Sequence, residues 1–257
     1  YIDKDIAIAT TKILELAGQT FITLGAKDYC CGQPVAAVGL IDHAKSIAEA
    51  NIQALKDTGA TKILTSCAEC YKTWKVDYPK LLEKSTSDMD YEVLHLSEFV
   101  NDLLEQGKLS FANEVNMRVT WHDPCHLGRM SEPWVHWEGN RGKFGILDQS
   151  KEYRRGTNGI YHAPREILKR IPGLEVVEMP RTRENALCCG AGGGTREAFR
   201  DYARFIGEER IEEAKATEAE AIVSACPHCE RNFTDIVNER SESMKVYDIL
   251  DLVREAI

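Results

Sequence analysis

No stretch of this chain approaches the roughly 18 to 20 consecutive apolar residues that a bilayer-spanning helix requires, so the sequence offers no span. Basic residues are also scarce: 32 Lys and Arg stand against 41 Asp and Glu, a formal charge of −9. Nucleic-acid affinity leans on clustered cations, so this balance argues against a phosphate-backbone binder. Missing too is a signal-peptide pattern of basic stretch, apolar stretch and small-residue cleavage site. The first residue is Tyr1 rather than Met, which reads as a leader removed or a piece of a longer chain. Apolar matter is not lacking. At 43% of 257 residues it supplies a buried core, excludes global disorder, and suits one large domain or two ordinary ones.

Cysteine is the one plentiful oddity: nine residues, an odd number, with two adjacent pairs. Cys30-Cys31 are followed after 35 residues by Cys67-Ala68-Glu69-Cys70. Cys188-Cys189 are followed after 36 residues by Cys226-Pro227-His228-Cys229. The constellation thus occurs twice, and each adjacent pair precedes a glycine, Gly32 or Gly190. Cys125 stands alone ahead of the second copy.

The flanking pattern repeats as well. Residues Asp3 to Ala17 and His43 to Thr58 carry helical spacing, and Phe21 to Leu24 and Lys62 to Thr65 read as short strands. In the second half, Pro164 to Ile171 and Arg196 to Ala216 read as helices. Arg118 to Trp121, Leu174 to Met179 and Ala221 to Ser224 read as strands. The closing segments 93–100 and 246–253 also resemble each other. This alternation predicts an α/β fold of two homologous tandem domains, residues 1–112 and 113–257. Each is expected to hold a short, mainly parallel sheet with flanking helices, related by a pseudo-twofold duplication. A polar stretch near Gln106 to Glu114 marks the boundary. The 62 residues between Cys125 and Cys188 exceed what one helix and one strand need, and the surplus falls at residues 131–160.

Three chemistries compete for the sulfurs. An oxidising compartment would pair them as staples. A chain of this length and apolar content does not need staples, adjacent cysteines bridge each other only with strain, and an odd count leaves a thiol over. Tetrahedral zinc takes four thiolates, with Cys-x-x-Cys as its usual half-site. Two consecutive side chains diverge, however, and one zinc per set leaves Cys125 without a role. An iron–sulfur cluster is several ångströms across, so adjacent cysteines can each reach a different iron. Soft thiolates select either group; five sulfurs around one site favour the cluster.

The repeated order of one Cys, then Cys-Cys-Gly, then Cys-x-x-Cys resembles the cysteine-rich CCG domain of heterodisulfide reductase B and D subunits. Related domains occur in subunits of glycolate oxidase and anaerobic glycerol-3-phosphate dehydrogenase, and in several electron-transfer complexes. The likeness covers nearly the whole chain. It is most specific in Asp123-Pro124-Cys125-His126-Leu127-Gly128-Arg129 and in the segment from Glu184 through Cys188-Cys189-Gly190 to Gly194. In heterodisulfide reductase, each complete motif holds a noncubane 4Fe–4S cluster that binds a substrate sulfur and splits a disulfide in one-electron steps. The resemblance therefore implies such a cluster on Cys125, Cys188, Cys189, Cys226 and Cys229. Cys30, Cys31, Cys67 and Cys70 match four-fifths of a motif. The family's remaining cysteine stands a few residues before a tyrosine whose place Tyr1 takes, which implies truncation ahead of Tyr1. A cubane 4Fe–4S cluster or zinc on four ligands is the alternative there. No ferredoxin-like Cys-x-x-Cys-x-x-Cys run is present in these residues, so electrons are expected from upstream sequence or another subunit.

Several other residues are candidates. Gly190 to Gly194 lacks the spacing of a dinucleotide fingerprint. Bare backbone N–H groups at Gly190, Gly192, Gly193 and Gly32 could instead approach cluster sulfur, or simply turn the chain. His126 and His228 adjoin ligand positions and suit proton delivery, with packing beside the ligands as the plain alternative; Arg129 and Lys72 share that ambiguity. The 131–160 insert carries Arg141, Lys143, Lys151, Arg154 and Arg155 together with Trp134 and Trp137. It is expected to dock a partner or cover the second cluster. The function expected is that of an iron–sulfur redox subunit. It would take electrons from a ferredoxin-like, flavin or cytochrome component and reduce a small disulfide or a cysteine-bearing protein. Alternatives are an electron relay between a flavoprotein or ferredoxin and a quinone or membrane partner, and a zinc-stabilised scaffold in a redox complex. The expected location is cytoplasmic, or peripheral on a membrane complex.

Overall fold

Apolar residues at helical spacing, Ile6, Ala9, Ile13 and Leu14, form the buried side of helix α1 (Lys4–Leu16). In this computed structural model residues 4–25 and 28–257 are described; Tyr1 and Asp3, both used in the sequence reading, lie outside them. Gly32 precedes the short α2 (Gln33–Ala37), with Pro34 in its first turn. Helix α3 (Ile41–Thr58) stops at Gly59, whose φ of 73° ends the hydrogen-bond ladder. There follow strand β1 (Lys62–Thr65), α4 (Ala68–Lys72), a widened π turn over Thr73–Asp77, and α5 (Tyr78–Leu81). Strand β2 (Glu92–His95) and α6 (Leu96–Glu105) complete the first half.

The second half begins with β3 (Met117–Trp121) and, after the insert, continues with α7 (His162–Arg170) and β4 (Leu174–Val177). Then come α8 (Thr195–Ala198), α9 (Arg200–Ala216), β5 (Ala221–Ser224), α10 (Pro227–Glu239), β6 (Lys245–Asp248) and α11 (Ile249–Ala256). The sheets are parallel throughout: β1 pairs with β2, and the second sheet runs β4-β3-β5-β6. Parallel pairing requires crossovers, and the intervening helices supply them. All four residues of β5 are buried.

The two halves share one apolar core, which runs from Ile6 and Ile13 through Tyr71, Leu96 and Trp121 to Val253 and Ala256. Helix α1 of the first half packs against α11 at the end of the second. No helix among the described residues is long and apolar enough to cross a membrane.

Two expected elements differ. Residues 21–24 form no strand, and Ile22 is 64% exposed. The matching strand of the second half, β4, is held by β3. Among the described residues the first half has no counterpart of β3, so 21–24 has nothing to exchange ladder bonds with and its backbone turns to water. The helix expected over 196–216 is broken at Phe199 (φ −140°, ψ 65°) into α8 and α9. The break lets α9 lie directly on the cysteine pair: a Cβ on Gly207 would stand 2.7 Å from Cys189 O. Asn232 Nδ2–H donates both to Cys189 O (2.6 Å) and to Ala203 O (3.1 Å).

Candidate metal centre

Each Cys-x-x-Cys sits where a strand ends and a helix begins. Cys226 has extended backbone as the residue capping α10, and Pro227 fixes the first turn. Cys229, three residues on, therefore shares its helix face. Cys67 and Cys70 repeat this on α4. The adjacent pairs are presented by sharp turns. Gly190 has a φ of +88°, and a Cβ there would meet Ala203 O at 2.1 Å, so only glycine fits. Gly190 N–H donates to Cys188 Sγ at 3.4 Å, and Gly32 N–H donates to Cys30 Sγ at 3.5 Å, the same bond in both copies. Cys125 follows β3 and Pro124. The aspartate before that proline, Asp123, is locked by Trp121 Nε1–H (2.9 Å), both Nη of Arg165 (2.7 and 2.8 Å) and Arg183 N–H (2.7 Å).

All nine cysteines are free, and their sulfurs converge. Cys70 Sγ lies 3.5 Å from Cys31 Sγ. Cys125 and Cys188, Cys188 and Cys189, Cys189 and Cys229, and Cys229 and Cys226 lie near enough to shift one another's ionisation. Cys67 and Cys226 perturb each other in the same way, so the two sets adjoin. Hydrogen bonds from Cys30 and Cys70 bring Cys31 down to about 3, and those from Cys125 and Cys189 bring Cys188 down to about 2. Their partners are pushed the other way: Cys70 by Cys31, and Cys125 by Cys188 and then by burial. In each set one thiol is thus biased towards thiolate, the form that binds metal.

The donor chemistry fits an iron–sulfur group. Five sulfurs from three separate segments meet at the second set, one more than a zinc ion accepts. The first set brings four from two segments. A small cavity at the second set is walled by Cys125, Cys189, Cys226 and Cys229, together with Glu69, His126 and His228.

Glu69 is not among the site residues that the sequence singles out. It lies inside the first Cys-x-x-Cys, 3% exposed, and reaches across to the second half. Its carboxylate is 2.8 Å from His228 Nε2 and 3.5 Å from His126 Nδ1, and accepts from Gly193 N–H at 2.9 Å. The available signal was positional: Glu69 occupies the place in its motif that His228 occupies in the other. Burial opposes charge on His228, but the Glu69 hydrogen bond and charge prevail and raise it above the ordinary histidine value. At His126 burial prevails over Glu69 and the value falls.

The remaining candidates separate. Gly32 and Gly190 face sulfur, whereas Gly193 N–H serves Glu69, and Gly192 lies against the His126 ring, where a Cβ would come within 3.3 Å of Cε1. Arg129 ties down the approach to Cys188 through Glu184 O (2.9 Å) and Ala186 O (2.6 Å). Lys72 is paired with Asp77 at 2.6 Å. The insert clasps the first half. Trp134 exchanges two 2.8 Å bonds with Thr86, and His136 N–H donates to Ser85 Oγ at 2.9 Å.

The sequence pattern of the cysteine-rich domain family CCG matches twice, at residues 3–75 and 151–234. The chain belongs to the CCG family. The two matched segments hold eight of the nine cysteines; Cys125 lies outside them and joins the second CCG site through its geometry. The chain is 36% identical over 255 residues to the D chain of dihydromethanophenazine:CoB–CoM heterodisulfide reductase from Methanosarcina barkeri, matching 98% of this chain and 55% of that protein. It is 31% identical to the B chain of fumarate reductase (CoM/CoB) from Methanothermobacter marburgensis, over 97% of this chain and 42% of the relative. It is 28% identical to the EtfAB:quinone oxidoreductase of Syntrophomonas wolfei, over 99% of this chain and 32% of the relative. The chain thus spans about half the length, or less, of the relatives it matches, and these CCG relatives are by name oxidoreductases or their subunits.

Proposed function

We propose that the chain is an iron–sulfur redox subunit that reduces a disulfide-like sulfur substrate at its second cysteine set. Cys125, Cys188, Cys189, Cys226 and Cys229 would hold a noncubane 4Fe–4S cluster. The carrying observation is the convergence of Cys125 with the other four sulfurs beside a cavity. When bound, such a cluster supplies single electrons and an iron face that a substrate sulfur can approach.

The chain's own residues supply the surroundings. Glu69 fixes both imidazoles, and His126 and His228, in the wall of the same cavity, are assigned the protons that thiol products require. The Gly190 N–H stabilises thiolate at Cys188, and the Gly32 N–H makes the matching bond to Cys30 Sγ in the other copy. Cys30, Cys31, Cys67 and Cys70 would hold a second 4Fe–4S group or zinc. Electrons would come from a ferredoxin-like, flavin or cytochrome component of a larger complex. Two units at 1–112 and 113–257 related by a pseudo-twofold are supported by Cys67 meeting Cys226 and Glu69 meeting His228, equivalent positions face to face.

A second reading, an electron relay, draws on the Cys67–Cys226 contact, which would put two centres in direct communication. Anaerobically purified protein tests both. Zinc without iron and acid-labile sulfide would sink the cluster reading. Paramagnetic spectra recorded with and without thiols and disulfides separate the two redox readings: a signal indifferent to all of them favours the relay. Cys125→Ala is expected to abolish the noncubane signal, and an unchanged cluster in that variant would remove Cys125 from the ligand set.

A further inference from the structure

His122 belongs to none of the motifs or steps above. It directly follows β3, with its backbone N–H bonded to Val223 O at 2.8 Å, and it is 1% exposed. The ring stands edge-on to Phe233 of α10, centroids 4.9 Å apart. One of its nitrogens and the sulfurs of Cys189 and Cys229 lie within 4.8 Å of one another.

The two ring nitrogens differ. Nδ1 accepts from Arg210 Nε–H at 3.1 Å. Arg210 is fully buried and pinned in turn by Glu213 Oε2 (2.6 Å) and Arg181 O (2.9 Å). Nε2 is buried and has no hydrogen-bond partner among the described residues. A guanidinium keeps its protons, so Nδ1 must offer the lone pair, and the single proton of the neutral ring stands on Nε2. With Nδ1 engaged, the nitrogen free to serve the cysteine site is a donor. Ligation through Nε2 would need a lone pair that this tautomer lacks.

We infer that His122 donates its Nε2–H to sulfur on the Cys189–Cys229 side of the second metal centre and so tunes that centre's reduction potential, with Arg210 as the residue that sets the tautomer. The inference rests on the iron–sulfur reading of that site. Cys189 and Cys229 do not themselves accept from Nε2, so the acceptor is sulfur of the group they would hold. An N–H donated there stabilises the more negative, reduced form and raises the potential. His122 is thus a positioning and tuning group rather than a ligand or a proton donor to substrate.

The test uses the full, metal-loaded chain, with iron and labile sulfide assayed first. Zinc alone at the site overturns the iron–sulfur reading and this inference together. With iron present, only the His122 assignment is at stake. His122→Phe keeps the ring volume and deletes the donor, while His122→Gln returns an amide N–H. The Phe variant is expected to keep its iron and lower the midpoint potential of one centre, by about tenfold in its one-electron equilibrium or about 59 mV. The other centre should hold, and the Gln variant should recover most of the shift. An unchanged potential in the Phe variant overturns the inference. Should that variant fail to fold, pulsed paramagnetic resonance on the wild-type protein with isotope-labelled histidine decides. Weak nitrogen coupling with an exchangeable proton supports the hydrogen bond, whereas the strong coupling of directly bonded nitrogen makes His122 a ligand and overturns it.

Discussion

Glu69 is a buried acid whose partners are His126, His228 and the backbone of Gly193, all from the other half of the chain. Removing one member of a buried ionic group leaves the others unpaired, at a cost of about 3 kcal/mol or more. Glu69→Ala is therefore expected to lower the urea-derived stability by roughly that much, and the near-isosteric Glu69→Gln by about half. Equal losses for both would place the effect in packing. His95, at the end of β2, gives a pH signature. Burial lowers it from 6.5 to about 4. Below its unfolded value the unfolded chain takes up a proton that the folded chain refuses, so stability is complete above about pH 6.5 and is lost as pH falls towards about 4. Between pH 7 and 5 this one group accounts for about 2 kcal/mol. Denaturation of His95→Gln at those two pH values should show a correspondingly smaller loss than wild type; an identical loss would contradict the assignment. The cysteines were legible as residues because their spacing is local. Glu69 and His122 were not, since each acquires its partners only when separate segments meet.

At the scale of elements, strands β1, β3, β4 and β5 and helices α1, α3, α7 and α9 were legible from periodicity, and the two expected elements that differ share a cause. Residues 21–24 have strand composition, but a strand exists only with a neighbour, and no counterpart of β3 lies beside them among the described residues. The break between α8 and α9 answers to the close packing of α9 on Cys189, which periodicity cannot register. The 131–160 insert showed no period, and its structure is set by contacts rather than by pattern. It is anchored where Thr86 Oγ1–H donates to Lys75 O (2.8 Å) while the oxygen accepts from Trp134 N–H (2.8 Å). Thr86→Val keeps the shape and deletes both bonds. It is expected to cost about 1–2 kcal/mol and to speed proteolytic cleavage within 135–155, where Phe144 and Tyr153 are exposed. An unchanged digestion pattern would mean the insert is held elsewhere.

Taken as a whole molecule, the two halves do not bury separate cores. One apolar cluster contains Ile6, Tyr71, Trp121, Phe233 and Ala256, and the first helix packs on the last. Unfolding of the metal-free chain is therefore expected to be a single transition, with circular dichroism and tryptophan fluorescence changing together. Two resolved steps would show that the shared core does not couple the halves. The facing pair of Glu69 and His228 has a consequence for how such a joint can be built. Two identical copies meeting at this place would set carboxylate on carboxylate or imidazole on imidazole, and buried like charges cannot both ionise. Carrying both copies on one polypeptide frees the two positions to differ. The joint then has a polarity, acid side to base side, and neither unit can substitute for the other by pairing with its own kind.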